Sequence, residues 1–352
     1  MSRYCTNRLK GIEGYIPGEQ PQEQSVIKLN TNENPYPPTE KILGFLKNIS
    51  LENLRKYPDP LSIELRKKIA ETYDLPSHEW VIVGNGMDDI ISIVIRTFID
   101  FGEIISATYP TYTLYEVLAK IHGYDFIYHE LDDNFELHPP FLWGKSKLIF
   151  ITHPNAPSGV PVHPVVMEKV CNEKDKLIFI DEAYAEFSEF NYLRWVLKYS
   201  NLIVGRTFSK SFSLAGIRLG FAVANPELTR DMLKVKDSYN VNYITQMIGI
   251  LALEDIEYSN SNIKKIKSTR ESLRNSLINL GFTVPNSHSN FLLAIWEKEN
   301  PKAQEIYIRL KEKNIFVRYF PQRRLENAIR ITIGTEEQSK TLIEALKDIL
   351  SR

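Results

Sequence analysis

The segment NLIVGRTFSKSFSLAGIRLGF, residues 201–221, opens as an apolar run rich in β-branched residues and closes in a turn that carries two cations. Lys210 follows the run between serines and phenylalanines, and Arg218 stands further on among apolar neighbours. The run itself predicts a buried strand. Four segments of the same texture precede it: WVIVGNG (80–86), GEIISATYP (102–110), KLIFITHPN (147–155) and KLIFIDEAY (176–184). Most are apolar on both faces, the pattern of buried parallel strands. Between them, DDIISIVIRTFID, YTLYEVLAKIHG and PVVMEKVCNE carry apolar residues at helical spacing. Strands alternating with helices predict an α/β fold, a mostly parallel central sheet with helices on both faces.

Beyond IRLGFAVANPEL the texture changes. A long, charged helical region over 243–280 is followed by SNFLLAIW, a helix around AQEIYIRLKEKN, strands in IFVRYF and AIRITIGT, and a closing helix EEQSKTLIEALKDIL. This predicts a second, smaller α+β domain. The turn-rich beginning, with LNTNENPYPPTE, reads as an extended arm. The expected division is an arm over 1–44, a large domain over 45–245 and a small domain over 246–352.

With 352 residues and 43% hydrophobic content the chain can bury a sizeable core. Lysine plus arginine (43) and aspartate plus glutamate (44) nearly cancel, so no one-signed field favours nucleic acid or an anionic membrane. The beginning has no apolar core of signal-peptide length, and the most apolar run is interrupted by Arg96. A soluble, cytoplasmic protein is expected. Cys5 and Cys171 lie in no CxxC or Cys/His cluster, which argues neither for a disulfide framework nor for a metal site.

In open α/β sheets ligands gather at the carboxyl ends of strands, so the polar groups there are the candidates. GNGMDD is a small-residue turn into a helix, suited to a phosphate or serving only as a tight turn. Asp181 and Tyr184 close the strand of KLIFIDEAY, where a carboxylate also commonly caps a helix. Asn155 in HPNAPSG ends another strand at a proline turn. Tyr112 in YPTYTLY offers a face to a flat ring, or to the core. Lys210, desolvated beside Phe208 and Phe212, suits Schiff-base chemistry with a carbonyl. Pyridoxal phosphate needs a lysine, an anion at its ring nitrogen, donors for its ring hydroxyl, a stacking group and a phosphate cup, and the chain offers each. Arg218 then has a role as a fixed cation for the phosphate.

KLNTNENPYPP, RKYPDP, GNGMDD, YPTYTLY, PNAPSG, IDEAYAEF, RTFSKSFSLAGIRLGF and IRITIGT, in this order, resemble the histidinol-phosphate aminotransferase family within the fold type I pyridoxal-phosphate enzymes. The resemblance spans nearly the whole chain. It implies that Lys210 holds the cofactor covalently and Asp181 pairs with the ring nitrogen. It further implies that Tyr184 and Asn155 approach the ring hydroxyl, Tyr112 stacks on the ring, and Met87, Asp88, Ser209 and Arg218 hold the phosphate. Tyr57 would reach the phosphate of the partner in a homodimer, and Tyr15, Arg318 and Arg330 would bind substrate anions. One position departs from the family: the asparagine expected directly before the proline is Ala156, with Asn155 one place earlier.

The implied reaction is transfer of an amino group between glutamate and histidinol phosphate. The same arginines suit other small phosphorylated ketones, such as dihydroxyacetone phosphate, and related O-phospho-amino-acid decarboxylases share most motifs. A pyridoxal-phosphate-dependent regulator would need an added DNA-binding domain, for which the chain has no room.

Overall fold

The computed structural model describes residues 2–21, 25–141 and 143–351. After a two-residue strand β1 (Ile27–Lys28) come helices α1 (Lys41–Lys47), α2 (Leu51–Leu54) and α3 (Ile63–Thr72). The central layer then follows as β2 (Val81–Gly84), α4 (Met87–Phe98), β3 (Ile104–Tyr109), α5 (Leu114–His122), β4 (Asp125–Glu130), β5 (Ser146–Thr152), α6 (Pro164–Cys171), β6 (Leu177–Asp181), β7 (Leu202–Thr207) and β8 (Gly220–Ala224). These strands form one seven-stranded sheet in the order β2-β8-β7-β6-β5-β3-β4. The strands β2 and β5 to β8 are almost wholly buried, because both sheet faces are covered.

The pairs β3 with β5, β5 with β6 and β6 with β7 are parallel, as the apolar runs predict, and β4, a half-exposed strand that no apolar run marks, pairs parallel with β3 at the sheet edge. One strand departs. β8 runs antiparallel to both β7 and β2. The chain leaves β7 through the Lys210–Arg218 turn with no crossover helix to carry it back, so it returns in the opposite direction. The reversal places Lys210 and Arg218 on one connection at one end of the sheet.

Helices α7 (Pro226–Val235), α8 (Tyr243–Leu253) and α9 (Ile256–Asn279) follow. The helical region expected over 243–280 is thus two helices, broken at Glu254 and Asp255. The chain closes with β9 (Phe291–Ile295), α10 (Ala303–Glu312), β10 (Ile315–Phe316), β11 (Arg318–Tyr319), β12 (Ala328–Thr332) and α11 (Glu336–Leu350). β11, β12 and β9 make a second, antiparallel sheet, and β1 of the arm pairs with β10. The β1–β10 pair is a small sheet of its own, and the arm is tied to the second sheet where the Leu29 carbonyl accepts from the Thr332 N–H of β12 at 2.9 Å, while Thr31 meets Lys210 at the end of the first. Among the described residues no helix is long and apolar enough to cross a membrane.

A buried ion pair fixes the register of the strand ends that carry the chemistry. Arg206 of β7 donates to Glu182, next to Asp181, at 2.7 and 2.9 Å, and to Glu186 at 2.9 Å. The side chains of Arg206 and Glu182 are 4% and 0% exposed, so neither charge has water to fall back on. Glu182→Ala is expected to destabilise the protein by about 3–5 kcal/mol, since it removes two of the three hydrogen bonds that join a buried guanidinium to carboxylates and leaves it only Glu186. Denaturant unfolding checks this, and a loss below about 1 kcal/mol, the scale of a surface pair, contradicts it.

Candidate active site

The carboxyl ends of β5, β6 and β7, the start of α4, the arm and the second sheet enclose one cavity of about 1000 Å³. It is lined by all the residues singled out from sequence except Asn155 and Tyr57. Asn155 is buried, and both ends of its amide are engaged away from the cavity. Its amide nitrogen donates to the Pro110 carbonyl at 3.0 Å, and its amide oxygen accepts from the Ser158 hydroxyl at 2.7 Å. Ala156 faces the cavity in its place. Tyr57 lies away from this cavity, 81% exposed and stacked on Tyr239 at 4.5 Å between ring centroids.

Asp181 ends β6 at the cavity floor with both carboxylate oxygens occupied by donors. The Tyr115 hydroxyl donates at 2.7 Å and the Ala183 N–H at 3.0 Å. Burial pushes its pKa up to about 6, and the two hydrogen bonds oppose the rise, so the group is mostly ionised at pH 7. Tyr112 lines the cavity in T-shaped contact with Tyr15 at 5.3 Å and with Tyr115 at 5.6 Å.

Lys210 extends its ammonium to the Thr31 carbonyl of the arm at 3.0 Å. Desolvation, with the nearby Arg330, lowers its pKa to about 8. The amine is therefore neutral in an appreciable fraction of molecules near pH 7, which an ordinary lysine is not.

At the other side of the cavity, α4 begins at Met87 directly after Gly86, whose φ is +86°. The first N–H groups of a helix have no partner within it and present a site for an anion. A Cβ on Gly86 would lie 2.6 Å from the Arg218 guanidinium, and one on Gly220 would lie 2.7 Å from the Gly86 backbone. Both positions need glycine for this approach. Arg218 takes a left-handed backbone (φ +56°), rare for arginine, and its guanidinium stands 3.4 Å from Asp88. A strained residue held at a helix N-terminus is the mark of a site.

Arg330 of β12 and Arg318 of β11 are register partners across the second sheet. Like charges directly opposite are unfavourable, and neither has an acid partner among the described residues. Arg330 donates to the Asn30 carbonyl at 3.1 Å, while its Nε is buried without a partner. Arg318 donates to the Ile16 and Pro17 carbonyls, each at 3.1 Å. Carbonyls solvate these cations without neutralising them.

Three contributors carry no assignment from sequence: Tyr115, Thr31 and Asn32. Tyr115 is fully buried beneath Tyr112, and its helical spacing of three from that residue is the signal that points to it. Thr31 and Asn32 sit in the polar NTNEN run, which has no period and shows its use only when the arm is folded over Lys210.

Residues 24–346 match the model of aminotransferase class I and II. The chain belongs to that family. A relative of this aminotransferase, the histidinol-phosphate aminotransferase of Rippkaea orientalis, is 42% identical over 96% of this chain and 95% of its own. The crystal structure of the histidinol-phosphate aminotransferase of Clostridium acetobutylicum superposes with a TM-score of 0.85 at 27% identity, covering 93% of this chain and 99% of that one. That of Sinorhizobium meliloti, in complex with pyridoxal-5'-phosphate, shares the fold with a TM-score of 0.83 at 22% identity, over 92% and 91% of the two chains. This aminotransferase is a pyridoxal-phosphate-dependent transferase of fold type I.

Its cavity fits that cofactor. It holds an amine of lowered pKa, a buried carboxylate with its own donors, and a helix start where Gly86 leaves room beside Arg218. In cofactor-free protein an amine-selective reagent is expected to modify Lys210 with a half-maximal rate near pH 8, because the neutral amine reacts. A midpoint at the ordinary lysine value of about 10.4 overturns the assignment of an activated amine.

Proposed function

We propose that this aminotransferase moves an amino group between glutamate and histidinol phosphate, in histidine biosynthesis. The observation that carries the reading is the Arg318–Arg330 pair, two guanidiniums without acid partners among the described residues, set over Lys210 and Asp181 in one cavity. Its arginines suit substrates that bring anions, and the relatives' substrate brings a phosphate.

When bound, pyridoxal phosphate supplies a carbonyl carbon for the amine and a ring that accepts electrons from the substrate carbon. Asp181, whose ionised form is favoured by hydrogen bonds from Tyr115 and the Ala183 N–H, would accept a hydrogen bond from the protonated ring nitrogen. Met87 and Asp88 N–H groups, Ser209 and Arg218 would hold the phosphate, and Tyr112 would cover the ring. Tyr184 would donate to the ring oxygen. Lys210, half-buried and near its pKa, takes the proton from the substrate carbon and returns it as general base and acid. Arg330 binds the α-carboxylate of glutamate and, in the other half-reaction, the phosphate of histidinol phosphate, which has no α-carboxylate. Arg318 and Tyr15 assist from the rim of the cavity, and Arg318 serves the distal carboxylate of glutamate.

Tyr57 is exposed, and so are Leu43 and Leu46 of α1 and Leu51 and Leu54 of α2, which precede it in the chain. Exposed apolar side chains on α1 and α2, together with a tyrosine that does not line its own cavity, support a homodimer in which Tyr57 serves the partner's phosphate site. The homodimer, cytoplasmic location and division into arm, large domain and small domain form part of the same proposal.

Purified protein given histidinol phosphate and 2-oxoglutarate is expected to release glutamate, and borohydride treatment of the holoenzyme to fix the cofactor on Lys210. No turnover of histidinol phosphate beside brisk turnover of a smaller phosphorylated amine moves the substrate elsewhere. Arg330→Ala is expected to lose on the order of 3 kcal/mol of transition-state binding in both half-reactions, measured by single turnover. Damage to only one of them contradicts the shared role. Mixed Tyr57→Phe and Lys210→Ala subunits are expected to regain some activity after exchange, and an active monomer by light scattering rules out the composite site.

A further inference from the structure

We infer that Asn32 of the arm is a positioning residue that sets the direction of the Tyr184 hydroxyl hydrogen and turns it into the cavity. The inference rests on the proposed role of Tyr184 as donor to the cofactor's ring oxygen. Asn32 is 1% exposed, and each of its four polar groups has one buried partner. Its N–H donates to the Thr332 hydroxyl at 2.9 Å, and its carbonyl accepts from the Asn290 amide at 3.0 Å. Its side-chain oxygen accepts from the Thr332 hydroxyl at 3.1 Å, and its side-chain nitrogen donates to the Tyr184 hydroxyl oxygen at 2.9 Å.

The direction of the last bond follows from the others. The Thr332 oxygen already receives the Asn32 backbone N–H, so its own hydrogen needs an acceptor, and the Asn32 side-chain oxygen is that acceptor. The NH2 end of the amide then faces Tyr184. A hydroxyl that receives a hydrogen bond from Asn32 cannot return its own hydrogen to the same NH2 group, which has no lone pair to offer. Tyr184 lines the cavity, and that is where the hydrogen goes. Burial also raises its pKa, so it remains a neutral donor.

Asparagine suits the position twice over. Asn32 has φ +57°, a left-handed backbone that asparagine tolerates better than most residues. Its amide is both donor and acceptor, as a chain from Thr332 to Tyr184 requires. Such a relay matters here because Ala156 offers no polar side chain at the cavity and the Asn155 amide is spent on Pro110 and Ser158. Tyr184 is left to serve a ring oxygen without the second amide, so the direction of its hydrogen counts for more. The relay also joins the two sheets, because Thr332 ends β12 and Tyr184 follows β6.

The test is a pH titration of the visible absorbance of bound pyridoxal phosphate in holoenzyme without substrate. A hydrogen bond donated to the ring oxygen favours its anionic form and lowers the midpoint, so loss of the donor raises it. Tyr184→Phe is expected to raise the midpoint by about one pH unit, roughly tenfold in proton affinity. Asn32→Asp keeps the shape and the tolerance of the backbone but accepts from Tyr184, and is expected to raise the midpoint as much. In the Tyr184→Phe background it is expected to add less than about 0.3 of a unit, the limit for coupling through that hydroxyl. Thr332→Val, which adds no charge, is expected to shift the midpoint in the same direction and to lose its effect in the same background. It keeps the test open if Asn32→Asp fails to fold. An unshifted Asn32→Asp, or a shift that persists undiminished without the Tyr184 hydroxyl, overturns the inference while the role of Tyr184 stands. An unshifted Tyr184→Phe removes that role and the inference with it.

Discussion

Lys210, Arg218, Arg318 and Arg330 line one cavity in which Asp181 is deeply buried and Asp88 is half exposed at the rim. Arginine does not give up its proton in proteins, whereas a buried lysine does, so crowding of cations is relieved at Lys210. Burial lowers the pKa of that amine first, Arg330 and Arg218 lower it further against the opposing charge of Glu33, and the same arginines give the cavity its appetite for anions. An anionic cofactor and anionic substrates relieve the same repulsion, which couples binding of the reactants to the protonation state of the base. Asp181 is protected from this exchange by its two dedicated donors, so it stays directed at the cavity floor.

The arm makes the crowding tolerable. Carbonyl groups of Asn30 and Thr31 meet Arg330 and Lys210, and those of Ile16 and Pro17 meet Arg318. Dipoles of this kind solvate a cation where water is scarce yet leave its charge uncancelled. The arm is itself held between β12 and β10, because the Leu29 carbonyl accepts from the Thr332 N–H and the Leu29 N–H donates to the Phe316 carbonyl. A stretch with no period of its own is thus ordered by the groups it serves.

Much of the central sheet is legible in the sequence because β5, β6 and β7 are buried on both faces, and continuous apolar runs betray such strands. β8 is not legible as a reversed strand, since direction depends on the length and path of a connection and not on the residues of the strand. Lys210, Asp181 and Arg218 stand out because a charged residue at the end of an apolar run has few structural uses. Asn155 shows the limit of that logic: a polar residue in the right turn, one position from the cavity, spends its amide on neighbouring backbone and side chain. Tyr115 and Asn32 lie beyond it, because each acts through a partner distant in sequence, 66 residues for Tyr115 and 152 for Asn32.

Ala156 ties these points together. It packs in the same buried cluster as Leu29, Tyr184 and Phe187, where an amide would need partners of its own. An alanine there removes that demand and leaves Tyr184 as the polar group of the cluster at the cavity wall. In the proposed reading Tyr184 meets a ring oxygen with its own hydrogen, which the Asn32 amide leaves free by donating to the hydroxyl oxygen. Asn32 in turn depends on Thr332 and Asn290, which belong to the second sheet and its approach. On that reading an alanine in one turn makes the electronics at the cofactor ring sensitive to how the second sheet seats on the arm, a dependence carried by directed hydrogen bonds and not by displacement of Lys210.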